Sequence, residues 1–165
     1  MRIEARLKER GITLPEPIKP YPGVPVRFAW VRFAWVRVRG NRAYVSPHME
    51  LHDDGNVAVP YGKVGAEVSP ERARTAAQRA ALAMLASLKK ELGDLDRVTA
   101  WLMVTALINA APDFDGNTEV LNGFSEMILD LYGEEAGLHA RMASGVAATP
   151  FRQAVIVAAE VEIDA

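Results

Sequence analysis

The 165-residue chain contains no cysteine and has almost no net charge. The absence of cysteine excludes disulfides, thiolate nucleophiles and cysteine-based metal sites, and it fits the cytoplasmic location that we expect. A formal net charge of -2 gives no overall attraction to nucleic acid or to a membrane surface. No apolar run approaches the roughly 20 residues that a membrane-spanning helix requires. The first residues are charged throughout, so we expect no signal peptide either.

The length predicts a single domain over residues 1–165. Residues 1–25 are predicted to form a short N-terminal helix and a proline-rich extended connector. A tandem repeat of five residues follows, Val26–Trp30 and then Val31–Trp35. An odd period would send equivalent side chains of a strand to opposite faces, so we interpret one copy as an insertion before the first strand.

The remainder of the chain predicts an α+β fold with the element order ββαβαββ. A Gly40-Asn41 hairpin turn joins the first two strands, and Ser69-Pro70 is typical of a helix N-terminus. The predicted strands are 36–39, 42–46, 98–108, 141–147 and 154–163, and the predicted helices are 70–92 and 119–132, ended by Gly93 and Gly133. Two helices cover one face of a mixed sheet, so we expect oligomerisation to cover the other.

Arg141 begins a run of small and apolar residues that we predict to be a buried strand. Its guanidinium stays charged at any working pH and needs a partner wherever it is partly buried. The spacing along the chain favours a carboxylate partner such as Glu126 or Asp130. The alternative is an anionic ligand, because a guanidinium binds a carboxylate through two parallel hydrogen bonds.

Three segments resemble the Rid family (reactive intermediate deaminase, YjgF-like), whose longer branch is called chorismate-mutase-like or endoribonuclease L-PSP. They are residues 139–150, which contain Arg141 and Pro150, residues 93–98, and the Asn122-Gly123 pair. The stretch from Lys63-Val64-Gly65-Ala66 onward adds to the resemblance, which covers roughly residues 40–163. It implies a YjgF-like fold, a homotrimer with ligand sites in clefts between subunits, and no cofactor or metal.

The resemblance also implies roles for individual residues. Arg141 would bind the substrate carboxylate, while Asn122 and Ser46 would line the pocket or order water, which makes Arg141 and Ser46 the candidate catalytic residues. Tyr21 would take the place of a pocket tyrosine that the family carries near its N-terminus. The implied reaction converts 2-aminoacrylate or a similar enamine, through an imine, into a 2-oxo acid and ammonia.

Ile156 is the main departure from the family pattern. It stands six residues after Pro150, where many deaminating relatives carry a glutamate that positions the attacking water. An isoleucine can neither activate water nor donate a proton. Glu160 shares its strand face but lies about 13 Å further on. The alternative to an imine hydrolase is therefore a non-enzymatic binder of small carboxylates.

A second alternative is RNA binding or cleavage. Five arginines between residues 27 and 42 are interleaved with aromatic residues, as in proteins that stack on single-stranded RNA. Arginine–aromatic stacking in a surface hairpin or a subunit contact explains the pattern more simply, so we expect no nucleic-acid partner. His48 and His52 are four residues apart, but Pro47 opposes a helix there. Asp113–Asn117 lacks the closing glutamate of a calcium loop, and we predict no metal site.

Overall fold

The computed structural model describes residues 1–19 and 33–164. These residues form three α-helices and a five-stranded mixed sheet, so the α+β prediction and the element order are confirmed. The helices are α1 (Arg2–Glu9), α2 (Pro70–Leu92) and α3 (Asn117–Gly137), and the strands are β1 (Val36–Arg39), β2 (Arg42–His48), β3 (Val98–Asn109), β4 (Ala140–Val146) and β5 (Val155–Ile163). None of these helices has the length and apolar character that crossing a membrane demands.

The strands lie in the order β1-β2-β5-β3-β4, and only β3 and β4 run parallel. Helices α2 and α3 pack on one face of this sheet, as predicted, and enclose the main hydrophobic core. The register pairs Val104 of β3 with Arg141 on one side and with Ala159 on the other. Arg141 therefore points toward the helical face, because Val104 is fully buried there.

Close packing of α2 against α3 depends on small side chains. The stripe of α2 that faces the core is rich in buried alanine, and Ser69 caps the helix by accepting from the Arg72 N–H at 3.1 Å. On α3, Gly123 meets α2 so closely that an added Cβ would lie 2.2 Å from the Arg74 carbonyl oxygen. Within the Asn122-Gly123 pair, Gly123 thus allows close helix packing, while Asn122 supplies a polar side chain.

Helix α3 continues beyond its predicted end. Gly133 does leave helical geometry, with φ 78° and ψ 175°, but the chain resumes a helical turn that reaches Gly137. A glycine adopts this positive φ without steric cost, so it interrupts the helix and leaves the next turn free to form. The extra turn sets the path into β4.

The prediction that Arg141 lies in a buried strand is wrong. Within residues 1–19 and 33–164, β4 is an edge strand that pairs with β3 alone, and each of its residues is half-buried or exposed. A run of small and apolar residues resembles a buried strand in sequence, but burial depends on having neighbours on both sides. The edge position leaves the Arg141 side chain accessible from outside the sheet.

Candidate functional site

Arg141 reaches from β4 to helix α3, where its guanidinium is held by neutral oxygens. Its Nη1 donates to Ser125 Oγ at 3.0 Å, and its Nη2 donates to Asn122 Oδ1 at 2.7 Å and to the Thr118 carbonyl at 3.3 Å. Asn122 is fixed in turn by a longer contact from its Nδ2 to Glu119 Oε2 at 3.4 Å. The predicted proximity of Arg141 and Asn122 is therefore present within a single chain.

His139 and Ser125 extend this network. His139 Nδ1 lies 2.7 Å from the Gly137 carbonyl, so Nδ1 carries the proton and donates it. Its Nε2 is then an acceptor and lies 2.9 Å from Ser125 Oγ, whose hydroxyl donates to it. One chain of hydrogen bonds thus runs from Arg141 through Ser125 and His139 to the backbone of α3.

The surroundings of the His139 imidazole disfavour its protonation. Partial burial lowers its pKa from the usual value, and the positive charge of Arg141 lowers the pKa further, although the bond to the Gly137 carbonyl opposes both effects. The ring also packs edge-on against Phe124 at a centroid distance of 6.4 Å. A neutral imidazole is the form that can accept the Ser125 hydroxyl.

The carboxylates expected to neutralise Arg141 are bound elsewhere. Glu126 pairs with Arg74 of α2, and Asp130 pairs with Arg10 after α1. Among residues 1–19 and 33–164, none of the ion pairs includes Arg141. The structural explanation of Arg141 that the sequence favoured is therefore wrong, and its formal charge is met only by neutral dipoles in this part of the chain.

Ser46 does not join Arg141 within one chain. It lies on β2, and strands β5 and β3 separate β2 from β4, which amounts to about 14 Å at the usual strand spacing. Its hydroxyl donates to the Ala34 carbonyl at 2.7 Å. The fourth expected site residue, Tyr21, lies outside the described residues, as does the first copy of the repeat.

Ile156 lies on the face of the sheet opposite Arg141. It is 4% exposed and belongs to a second apolar cluster formed with Ile18, Met49, Leu51, Val57 and Ala83. Its pairing partner on β3 is Leu107, three positions along β3 from the partner of Arg141. Within a single chain, an acid at position 156 would therefore not face the Arg141 guanidinium.

The histidines His48 and His52 and one cluster of acids are the remaining possible metal ligands. His48 is fully buried and His52 is exposed, so they do not form a pair. Over the described ranges, the single group of acids close enough to share a metal is Glu4, Asp94 and Asp96. Asp96 is already used there, because it accepts from the Ile3 N–H at 2.8 Å and pairs with the N-terminal ammonium.

The arginine series is only partly described. Arg37 and Arg39 lie exposed on β1, and Arg42 pairs with Glu160 of β5. Arg27 and Arg32 fall outside the described residues. The charge of Arg42 is thus balanced within the sheet.

Ser125 and His139 were not predicted as site residues. They lie 14 positions apart, in a helix and in the turn before a strand, and no motif joins them. The available signal was the position of His139 two residues before Arg141 in the segment that carries the family resemblance. Only the packing of β4 beside α3 brings the serine to the histidine.

Comparison with known proteins places this chain in a family. No protein-family model matches the chain. Protein TCP17 of Trypanosoma cruzi is 34% identical over 163 residues, which cover 99% of this chain and 95% of that protein. Protein Atu1372 of Agrobacterium tumefaciens, described as of unknown function, is 34% identical with a TM-score of 0.83, covering 99% of this chain and 93% of its own.

Solved structures with lower sequence identity identify the fold. A candidate endoribonuclease from Shewanella oneidensis is 23% identical with a TM-score of 0.85, over 99% of this chain and 100% of its own. The YjgF product of E. coli is 14% identical with a TM-score of 0.55, over 91% and 98% of the two chains. The chain belongs to one family with TCP17 and Atu1372, a family with the Rid (YjgF-like) fold. The Rid-type structure of TdcF from E. coli, which is 14% identical and has a TM-score of 0.54 over 91% of this chain and 98% of its own, contains bound serine.

Proposed function

We propose that this Rid-fold protein binds small 2-oxo or 2-imino carboxylates at Arg141, in clefts between the subunits of a homotrimer. The observation that carries the proposal is the half-buried guanidinium of Arg141, which neutral oxygens hold in place while Glu126 and Asp130 of α3 pair with other arginines. A cation in this state gains free energy from an incoming carboxylate, because charge-assisted hydrogen bonds are about twice as strong as neutral ones.

The geometry of the guanidinium leaves donors for such a ligand. Arginine has five N–H donors. The bonds to Ser125, Asn122 and Thr118 use three of them, and the Thr118 bond is long at 3.3 Å. A carboxylate that takes the remaining donors, or replaces the Thr118 carbonyl, meets a group whose orientation the other two bonds already fix. Such preorganisation reduces the entropic cost of binding.

The separation of the predicted site residues in the sheet supports an intersubunit location. Ser46 and Arg141 lie on strands with two strands between them, so they contribute to one pocket only if two chains meet. The sheet face without helices presents Tyr44 (45% exposed) and Met142 (50% exposed) for such a contact. The bound serine in TdcF supports a small carboxylate as the ligand class, since serine carries one.

Imine hydrolysis is the reaction that this site would perform, but slowly. Water adds to the imine carbon and ammonia leaves, which requires a group that moves protons between them. The position expected for the glutamate holds Ile156 in an apolar cluster. Arg141 would still bind and orient the substrate, and orientation contributes separately from proton transfer.

Binding is tested by calorimetry or thermal shift with pyruvate, 2-oxobutyrate and benzoate. We expect Arg141→Lys to weaken binding nearly as much as Arg141→Ala, because lysine lacks the planar fork. Arg10→Ala, which removes an arginine already paired with Asp130, is the matched control and should bind as the wild type does. Equal ligand responses in wild type and Arg141→Ala would exclude the proposed role.

Turnover is tested by release of ammonia or 2-oxo acid from enzymatically generated 2-aminoacrylate. We expect a rate about 10²–10⁴-fold below that of relatives with the glutamate, which is the usual contribution of general acid–base catalysis. Rapid wild-type turnover would show that another group orders the water.

Binding of RNA is the weaker alternative. The described arginines include Arg42, whose charge Glu160 already balances. Binding of single-stranded RNA whose affinity falls with salt concentration, with a slope that corresponds to several phosphate contacts, would favour RNA binding over the carboxylate site.

A further inference from the structure

Ser125 helps to orient Arg141 in the proposed function, but its partner His139 has no part in that function so far. The Ser125–His139 pair follows a pattern that occurs twice in the described chain: a histidine donates from Nδ1 to a carbonyl two residues earlier and accepts a helix serine at Nε2. The other example is His48, with Ser46 O at 2.7 Å and Ser87 Oγ at 2.8 Å. His48 is fully buried, whereas His139 is half-buried and lies one hydroxyl away from an arginine.

The hydroxyl of Ser125 connects the charge of Arg141 to the protonation of His139. With neutral His139, the Ser125 hydrogen is directed to Nε2 and a lone pair of its oxygen accepts from Arg141 Nη1. If Nε2 gains a proton, Nε2–H becomes the donor and the Ser125 hydrogen must turn away from the ring. That hydrogen is then available to an acceptor beside Arg141, such as a carboxylate oxygen.

The charges around His139 come from the two elements packed against it. β4 contributes Arg141, whose positive charge acts against protonation of the ring. α3 contributes five acids. Glu119 accepts from Asn122, Glu126 pairs with Arg74, Asp130 pairs with Arg10, and Glu134 and Glu135 are exposed. Strand β3 is neutral throughout the stretch that pairs with β4, residues 103–109.

We propose that the site takes up its carboxylate together with one proton, which His139 accepts at Nε2. The inference rests on the proposed carboxylate function. A bound carboxylate neutralises Arg141 and removes the repulsion that opposes protonation of His139, so each binding event favours the other by the reciprocity of linked equilibria. The proton comes from solvent, His139 becomes imidazolium, and the Ser125 hydroxyl turns to donate to the ligand.

The experiment is titration calorimetry of the wild-type protein with pyruvate between pH 5 and pH 8, in buffers of different ionisation enthalpy. We expect proton uptake on binding, and an affinity that rises as the pH falls, by at most about tenfold per pH unit because a single proton is coupled. In His139→Gln, whose amide oxygen can still accept from Ser125 but cannot titrate, binding should persist with no proton uptake.

His48→Gln is the matched control, because it removes a histidine with the same bonding pattern and no neighbouring arginine. It should leave the proton uptake unchanged. Binding without proton uptake in the wild type, or uptake that persists in His139→Gln, would overturn the inference while the proposed function stands. Absence of any binding by wild type would overturn both.

A second measurement needs no variant of His139. The chain has three histidines, so their titrations can be resolved by NMR. We expect the pKa of His139 to rise when pyruvate is added, and to rise in Arg141→Ala without ligand, while the titration of His48 stays unchanged. An unchanged His139 titration in Arg141→Ala would show that the two groups are not coupled.

Discussion

At the scale of single residues, the chain uses the same hydrogen-bond pattern for two purposes. His48 and His139 both present Nε2 to a helix serine, but only His139 lies beside a charged group. Full burial lowers the pKa of His48 from 6.5 to about 4, and only the bond to the Ser46 carbonyl opposes this effect. His48 therefore contributes to stability as a neutral group, whereas we propose that His139 responds to a ligand at Arg141.

The low pKa of His48 predicts a loss of stability in acid. Above pH 6.5 His48 is neutral in both states, and between pH 6.5 and about 4 only the unfolded chain takes up the proton. The free energy of unfolding should therefore fall by about 3 kcal/mol over this interval because of this group. Urea unfolding at a fixed protein concentration, carried out from pH 7.5 to pH 4, measures this fall in the free energy of unfolding.

His48→Gln should be less stable at pH 7.5 but should show a flatter dependence on pH. His52→Gln, at an exposed position, is the control and should follow the wild type. A His48→Gln variant with the wild-type pH dependence would contradict the assignment.

At the scale of secondary-structure elements, the α2–α3 contact positions the site, because α3 carries all the groups that hold Arg141. At Gly123, where α3 has no side chain, an added Cβ would lie 2.2 Å from the Arg74 carbonyl oxygen. Alanine normally favours a helix over glycine by about 1 kcal/mol. Here steric overlap with the backbone of Arg74 outweighs that preference.

Gly123→Ala is therefore expected to lower the free energy of unfolding by about 1–3 kcal/mol, the usual cost of overpacking. It should also weaken pyruvate binding, since a displaced α3 moves Asn122 and Ser125. Lys90→Ala, at an exposed position of α2, is the control and should change stability by less than about 0.5 kcal/mol. A Gly123→Ala variant as stable as wild type would show that the helices separate easily.

At the scale of the whole molecule, we predict a homotrimer in solution. One face of the sheet carries both helices, and the other presents exposed Tyr44 and Met142. Light scattering coupled to gel filtration should give about three times the chain mass of 18.0 kDa. Met142→Glu places a charge in this face and should produce smaller species, because burying an unpaired charge is costly.

Gln78→Glu adds the same charge to the exposed side of α2 and is the control, which should remain trimeric. A wild-type protein that elutes as a monomer would exclude both the trimer and a site shared between subunits. Loss of the trimer in Met142→Glu together with loss of pyruvate binding would connect the assembly to the site.

The order of elements was determined by local sequence. Glycine turns, the Ser69 cap and the periodicity of apolar residues act within a few positions, so they specify the helices and strands without tertiary contacts. The resemblance implied that Arg141 and Asn122 line one pocket, and in the structure the two side chains form a hydrogen bond at 2.7 Å.

What surrounds Arg141 was decided only by tertiary structure. The partial exposure of β4 follows from its place at the sheet edge. Glu126 and Asp130 of α3 are paired with Arg74 and Arg10. The Ser125–His139 bond joins residues that no local pattern relates. All three features depend on which helices and strands are neighbours in the fold. Short-range propensities carry no information about that choice, because it is made by the packing of the complete sheet against α2 and α3.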